Sequence, residues 1–154
     1  MKTNVMRILD ASSIPYEAFE YDPNPKLSGN EIASLLKENP NSVFKTLITV
    51  SKNKVNYAFM IPVNKELDLK KGAKSISEKS IEMIPLKDLF KTTGYVHGGC
   101  SPIGLKKQFT VIIDESAMNF EYIYFSGGKV GCQVKVKTYD FINLIRPIIS
   151  NIVK

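Results

Sequence analysis

The alternation of hydrophobic and polar residues predicts short helices and strands that follow one another along the chain. The first helix is expected to begin with Thr3 as its N-cap and to bury one apolar side, formed by Val5, Met6, Ile8 and Leu9. Residues 16–21 indicate a short strand, and the prolines at positions 23 and 25 then predict a loop. Ser28 and Glu31 have the spacing of a capping box, which predicts a second helix.

The rest of the chain continues this pattern of strands and helices. Further strands are predicted at residues 43–50, 55–63, 109–113, 121–125 and 129–137. Asp68 and Thr138 are expected to cap helices, Ser77 to begin one that runs to Met83, and residues 85–92 to form another. Because short turns join most of the strands, we predict a single α+β domain over residues 1–154, with a mixed, largely antiparallel sheet flanked by helices.

Composition agrees with one compact globular domain. The chain has 154 residues, 44% of them hydrophobic and 23% charged, close to the globular average. Its longest apolar stretches, such as residues 57–63, fall short of the ~18 residues that a membrane span needs. The N-terminus lacks the apolar region of a secretory signal. We therefore expect a soluble, cytoplasmic protein without a membrane partner, whose two cysteines stay reduced.

The charge of the chain is strongly basic, with 21 basic and 15 acidic residues and a net charge of +6. A positive field of this kind favours a polyanionic partner, because the release of counterions from phosphates drives association. A role in solubility alone is the alternative, since the lysines are spread along the chain. Charge by itself leaves a nucleic-acid partner as the less favoured hypothesis.

Lys45 lies in the predicted strand over residues 43–50, on a face that it shares with Val43 and Leu47. A lysine in this position can lie along apolar surface and extend its ammonium to water. It can instead reach a cavity and meet a phosphate or carbonyl oxygen of a ligand. The first interpretation describes most strand lysines, and residue type alone leaves both open.

The stretch from Gly98 to Gly104 contains three glycines and a proline. Such a backbone can approach a ligand closely and present amide groups to an anion or a carbonyl. It lacks the Gly-Lys-Ser/Thr of a phosphate-binding P-loop and the spacing of a dinucleotide fingerprint. The structural alternative is a tight connection into the strand at residue 109.

Residues for covalent or metal chemistry are sparse. His97 and Cys100 suggest a Cys–His pair, but such pairs usually come from distant segments. One histidine and two separated cysteines leave a zinc ion short of ligands, so no metal site is predicted. Asp114 is a candidate general base, although capping a turn is its favoured role. Ser126 either lines a pocket or satisfies a turn.

Short motifs in a common order resemble those of the YbaK/EbsC-type aminoacyl-tRNA deacylases, free-standing relatives of the editing domain of bacterial prolyl-tRNA synthetases. The motifs are VFKTL (43–47), ELDLKK (66–71), TGY with GGCSPIG (93–95 and 98–104), IIDE (112–115) and SGGK (126–129). The resemblance covers nearly the whole chain. It implies a YbaK-like α+β domain that hydrolyses mischarged tRNA in trans. Cys-tRNA(Pro) is the favoured substrate, and Ala-tRNA(Pro) or another aminoacyl-tRNA is the alternative.

The resemblance also implies roles for individual residues. Gly98 and Pro102 match the GxxxP loop, whose backbone amides hold the aminoacyl ester, and Lys45 matches a strand lysine that engages the terminal adenosine or phosphate. The implied catalytic group is Lys45, Gly98, Gly99, Ser101 and Pro102. The implied substrate-binding group is Tyr21, Thr46, Cys100, Gly104, Ser126 and Gly127.

The implied partner is the 3′ aminoacyl end of tRNA, with prolyl-tRNA synthetase as a second candidate partner, and neither DNA nor a cofactor is expected. Because an aminoacyl ester is already activated, positioning and oxyanion stabilisation can carry the reaction. The thiol of a substrate cysteine can attack its own carbonyl and release a thiolactone. Two alternatives remain open: a module that binds tRNA or a synthetase without hydrolysis, and a thiol-dependent hydrolase that uses Cys100.

Overall fold

The computed structural model describes residues 2–154, which contain five α-helices and eight β-strands. The helices are α1 (Asn4–Ala11), α2 (Gly29–Leu36), α3 (Leu69–Ser75), α4 (Leu86–Thr93) and α5 (Thr138–Ile145). The strands are β1 (Tyr16–Glu20), β2 (Phe44–Ser51), β3 (Asn56–Pro62), β4 (Ile81–Met83), β5 (Thr110–Asp114), β6 (Tyr122–Ser126), β7 (Cys132–Lys137) and β8 (Ile148–Ser150). None of these helices is long and apolar enough to cross a membrane.

The strands form two sheets instead of the single sheet that the sequence predicted. The first sheet has three strands in the order β1-β7-β6, all antiparallel. The second has five strands in the order β4-β2-β3-β5-β8, in which only the β3–β5 and β5–β8 pairs are parallel. The predicted α+β class and the predominance of antiparallel pairing are therefore confirmed.

The two sheets share one apolar core. Phe44 of β2, Phe125 of β6 and Val134 of β7 belong to the same buried cluster. Val43 forms an isolated parallel bridge with Tyr124, so the sheets also meet along one edge. Burying one side chain of this kind stabilises the fold by roughly 1.5–3 kcal/mol. The core therefore holds β2 and β7 in fixed positions relative to each other.

Side-chain caps begin α1, α2 and α3 as the sequence predicted. Thr3 and Asp68 accept hydrogen bonds from backbone amides in the first turns of α1 and α3. Ser28 and Glu31 form a reciprocal capping box, with N–H···O distances of 3.1 Å to Ser28 Oγ and 3.0 Å to Glu31 Oε1. These bonds satisfy amide groups that a helix start otherwise leaves unpaired.

Two predicted caps are wrong, and two strands, β4 and β8, were missed. Ser77 has a left-handed backbone (φ 57°), and the segment that follows it forms β4, which pairs with β2. Thr138 is the first residue of α5 rather than its cap, because its hydroxyl donates to the Phe120 carbonyl at 2.7 Å. Strand β8 has only three residues, too few for an alternating pattern to reveal.

Candidate active site

A cavity of about 550 Å³ opens beside β2, where the two sheets meet two loops. Its mostly apolar wall combines residues of β2 with residues from the loop before α2, from the segment 83–89 and from the glycine-rich loop after α4. Ser126 of β6 and Gln133 of β7 complete the wall from the three-stranded sheet. This volume lies within the range of about 300–1,000 Å³ that is typical of small-molecule sites.

Lys45 carries the only permanent charge in this wall within residues 2–154. The residue is partly buried, and its ammonium forms no ion pair across the same residues. Burial lowers the pKa of Lys45 below the ordinary lysine value, and the Glu66 carboxylate opposes this shift. Thr46 lines the cavity too, and its buried hydroxyl lacks a hydrogen-bond partner in the described chain. The strand therefore brings an unpaired cation and a free hydroxyl to one cavity.

The glycine-rich loop reaches the cavity through Gly98 and Cys100. Gly98 has φ +87°, a left-handed conformation that glycine adopts without strain. The backbone N–H groups of Gly98 and Cys100 have no acceptor among the residues that the structure describes. Two residues whose backbone amides have no acceptor in the described chain therefore line the same cavity as Lys45.

Gly99, which the resemblance places in the catalytic group, is buried and does not line the cavity. Its N–H donates to the Val96 carbonyl at 2.9 Å and is therefore already used. A Cβ at this position would meet backbone atoms of Lys129 and Val130 at 3.0 to 3.1 Å. Gly99 is needed because the loop packs closely against the connection between β6 and β7.

Ser101, Pro102 and Gly104, which the resemblance also implies as site residues, do not line the cavity either. The loop turns inward after Cys100 and buries Ile103 in the main core. The Ser101 hydroxyl accepts a hydrogen bond from the Ile103 amide at 3.3 Å. Gly104 has φ +77°, and a Cβ there would meet the Tyr95 hydroxyl at 2.9 Å. These residues fix the shape of the loop instead of lining the cavity.

The three-stranded sheet contributes Ser126 and Gln133, which lie opposite each other on β6 and β7. Gly127 does not line the cavity, because it forms the hairpin and donates its N–H to the Cys132 carbonyl at 2.9 Å. Tyr21 also lies outside the wall, and its hydroxyl accepts a 3.5 Å hydrogen bond from the Gln133 side-chain nitrogen. Tyr21 therefore contacts the site through Gln133.

Cys100 is a poor nucleophile in this environment. Its side chain packs against the main core, and burial raises the pKa of its thiol to about 12. The thiol therefore stays protonated near neutral pH. His97 lies at the exposed rim of the cavity, and no hydrogen bond joins it to Cys100 within the described residues. The local Cys–His pair considered from the sequence does not form.

Acidic residues are absent from the cavity wall over residues 2–154. Asp114, the candidate base, instead accepts hydrogen bonds from the Ser116 amide at 3.2 Å and the Ile152 amide at 3.1 Å. Its favoured role as a cap is confirmed. In the same part of the chain no group of three His, Cys, Asp or Glu residues is placed to hold a metal ion. The cavity offers a cation, amide donors and hydroxyls, but no carboxylate.

Sequence reasoning missed Gln133 and the apolar wall opposite it. Gln133 is only 5% exposed, and its Oε1 atom has no hydrogen-bond partner among the described residues. In the pattern it alternates with Cys132 and Val134, which is typical of a polar residue on a solvent face. The apolar wall is formed by Met83, Ile84, Leu86 and Leu89. Hydrophobic periodicity cannot distinguish such a wall from ordinary core.

Comparison with known proteins assigns the family. The aminoacyl-tRNA editing domain matches residues 24–144, which is most of the chain. The chain belongs to this family of aminoacyl-tRNA editing domains. EbsC of Enterococcus faecalis, provisionally named a Cys-tRNA(Pro)/Cys-tRNA(Cys) deacylase, is 42% identical over 144 residues, 93% of this chain and 88% of EbsC. The editing-domain protein is therefore an aminoacyl-tRNA deacylase, as its sequence motifs implied, and its substrate is aminoacyl-tRNA.

Solved structures show the same fold at low sequence identity. One is described as a provisional trans-editing enzyme for prolyl-tRNA synthetase; it has a TM-score of 0.85 and 16% identity, over 100% of this chain and 99% of that one. A second, of a hypothetical protein, has a TM-score of 0.90 and 18% identity, over 99% of this chain and 100% of that one. The predicted YbaK-like fold of the editing-domain protein is confirmed.

Proposed function

We propose that the editing-domain protein removes cysteine from mischarged Cys-tRNA(Pro) in trans. The observation that carries the proposal is one apolar cavity that holds the unpaired Lys45 ammonium together with the free amides of Gly98 and Cys100. The name of the 42% identical relative supports the choice of cysteine and of tRNA(Pro). The cavity volume suits an amino acid joined to a terminal nucleoside.

In this proposal the amides of Gly98 and Cys100 donate hydrogen bonds to the carbonyl oxygen of the ester. One such donor typically lowers the barrier enough to raise the rate about 100- to 1,000-fold. Lys45 binds a phosphate or ribose oxygen of the terminal adenosine, because an ammonium on a flexible stem suits such an acceptor. Thr46, Ser126 and Gln133 contact the polar groups of the amino acid.

The remaining predicted site residues act through their neighbours. Gly99, Ser101, Pro102 and Gly104 hold the loop in the conformation that leaves two amides free. Tyr21 positions Gln133 through its hydroxyl, and Gly127 shapes the hairpin that carries Ser126.

The substrate supplies its own nucleophile in the proposed reaction. The cysteine thiol loses its proton, and its sulfur attacks the ester carbonyl carbon. The bond from that carbon to the ribose oxygen breaks, the ribose oxygen takes up a proton, and cysteine leaves as a thiolactone. This chemistry suits a cavity without a carboxylate base in its wall, and holding sulfur and carbonyl together supplies the rate.

The test is a panel of Cys-tRNA(Pro), Ala-tRNA(Pro), Pro-tRNA(Pro) and Cys-tRNA(Cys), each incubated with the purified protein. We expect Cys-tRNA(Pro) to be deacylated fastest and mass spectrometry to detect the thiolactone before free cysteine. Faster release of alanine would instead assign a water-dependent reaction on Ala-tRNA(Pro). Release no faster than spontaneous hydrolysis from every tRNA would contradict the substrate assignment and favour a binding module.

Prolyl-tRNA synthetase is the second partner in this proposal. The support is the low-identity structure described as a provisional trans-editing enzyme for that synthetase. Adding the synthetase should lower the KM for Cys-tRNA(Pro), because a shared complex raises the local tRNA concentration. An unchanged KM would show that the protein acts alone.

A further inference from the structure

Helix α4 exposes an apolar row and a basic row beside the cavity. Leu86 and Phe90 are 67% and 62% exposed, although their side chains are large and apolar. They are four residues apart, so they lie on one face of the helix with about 5–6 Å between Cβ atoms. Lys87 and Lys91 follow them directly and are also exposed. The same pair of residue types therefore repeats on successive turns.

This face is continuous with the mouth of the cavity. Leu86 and Met83 line the cavity wall and are also exposed, at 67% and 43%, so they lie at its rim. Phe90 does not line the cavity and lies one helical turn beyond Leu86. A chain that leaves the cavity past Leu86 meets Phe90 next.

We infer that this face of α4, formed by Leu86, Lys87, Phe90 and Lys91, binds the unpaired nucleotides that precede the terminal adenosine of the tRNA. Exposed aromatic and apolar side chains provide stacking surface for bases of any sequence, and neighbouring lysines meet the backbone phosphates. The inference rests on the proposed function only in placing the terminal adenosine inside the cavity.

The ion pairs of α4 identify the lysine that is available to phosphate. Lys91 lies 3.1 Å from the Asp88 carboxylate, so part of its charge is already compensated. Lys87 has no ion pair within residues 2–154. Lys106 adds a further positive charge by donating to the Lys91 carbonyl at the end of α4. A protein partner fits this face less well, since the centres of protein interfaces are depleted in lysine.

The experiment uses Phe90→Ala and Lys87→Ala, with Tyr139→Ala as the matched control. Tyr139 is an exposed aromatic residue on α5 that does not line the cavity. Fluorescence anisotropy measures binding of an RNA minihelix that ends in single-stranded CCA and of the same minihelix with a blunt end. Deacylation is measured on a cysteinyl minihelix and on cysteinyl-adenosine, which lacks the preceding nucleotides.

We expect Phe90→Ala to weaken binding of the CCA-ended minihelix about 5- to 10-fold, at the low end of base–aromatic stacking because Phe90 is solvent-exposed. The KM for the cysteinyl minihelix should rise by the same factor. The KM for cysteinyl-adenosine and the binding of the blunt minihelix should not change. Lys87→Ala should reduce the salt dependence of binding by about one phosphate contact. Tyr139→Ala should change neither quantity.

Equal binding by the wild type and Phe90→Ala would overturn the inference, and so would an equal loss on cysteinyl-adenosine. A change in oligomeric state, or an effect that requires the synthetase, would assign the face to a protein and overturn it too. If the protein deacylates Cys-tRNA(Pro) but its RNA binding does not depend on Phe90, this inference is overturned and the proposed function stands. Intact Phe90-dependent binding without deacylation would support it and refute the proposed function.

Discussion

Replacing Lys45 with methionine removes the charge of the side chain and keeps most of its length. We expect kcat/KM for aminoacyl-tRNA to fall about 10- to 150-fold, because a hydrogen bond to a charged group contributes roughly 1.5–3 kcal/mol and 1.4 kcal/mol corresponds to about tenfold. We expect the upper end of this range, because the Lys45 ammonium forms no ion pair within residues 2–154 and the substrate therefore displaces no paired carboxylate.

The same substitution should not lower the free energy of unfolding. Burial lowers the pKa of Lys45 in the folded state, so folding disfavours its charged form. The charge therefore costs stability below the folded pKa, and this cost disappears as the pH rises towards the ordinary lysine value. As the pH rises from the folded pKa of Lys45 to the ordinary lysine value, the wild type should gain stability relative to Lys45→Met. At neutral pH the variant should be equally stable or more stable.

Single-turnover deacylation and chemical denaturation measure the two effects separately. Lys135→Met is the matched control, because Lys135 is also a partly buried strand lysine but lies outside the cavity wall, 3.9 Å from Glu17. The control should keep its deacylation rate within about twofold, because Lys135 lies outside the cavity wall. Its free energy of unfolding should also change little, because an ion pair near the surface contributes little to stability. Parallel loss of rate and stability in Lys45→Met would show that Lys45 is structural and refute this reasoning.

Three substitutions test the rest of the cavity. Gln133→Leu should raise the KM for aminoacyl-tRNA without loss of stability, because its Oε1 has no hydrogen-bond partner within the described residues; an unchanged KM would contradict its contact with substrate. Cys100→Ala should keep kcat/KM within about twofold, and Cys100 should resist iodoacetamide at pH 8, where a thiol pKa near 12 leaves about 1,000-fold less thiolate than a pKa of 9.0. Rapid alkylation that inactivates the protein would restore the thiol-dependent mechanism. Gly99→Ala should lower the midpoint of thermal unfolding, because its Cβ meets backbone of Lys129 and Val130; loss of rate at unchanged stability would return Gly99 to the cavity.

Local signals in the sequence predicted the elements that depend on local physics. The capping box of Ser28 and Glu31 forms because both partners lie within one helical turn. Thr3 caps α1 for an equally local reason. The division into two sheets could not be predicted in this way, because it depends on pairings between residues far apart in the chain, such as Tyr16 with Val136.

Prediction of the site from the sequence was limited in the same way, because it found residues in local motifs and missed those that only the tertiary structure brings to the cavity. The motifs indicated Lys45 and Gly98, and the structure places both on one cavity. The same resemblance also implied Ser101, Pro102 and Gly104 as site residues, whereas the burial of Ile103 draws this second half of the loop towards the core. Gln133 was missed because its partners, Tyr21 and the cavity, are brought to it only by strand pairing.

Unsatisfied polar atoms indicate how the cavity selects its substrate. Buried side-chain oxygens without partners are rare in folded proteins. Of the four that occur in residues 2–154, those of Thr46 and Gln133 belong to the cavity wall. Both atoms have almost no accessible surface, so the proposed contact with substrate requires a small shift of their side chains, and an atom left unpaired costs about 1–3 kcal/mol. In the proposed function, a mismatch at either atom therefore costs about as much as one methylene in an apolar pocket, about 1–3 kcal/mol, so the polar and apolar walls both contribute to selectivity.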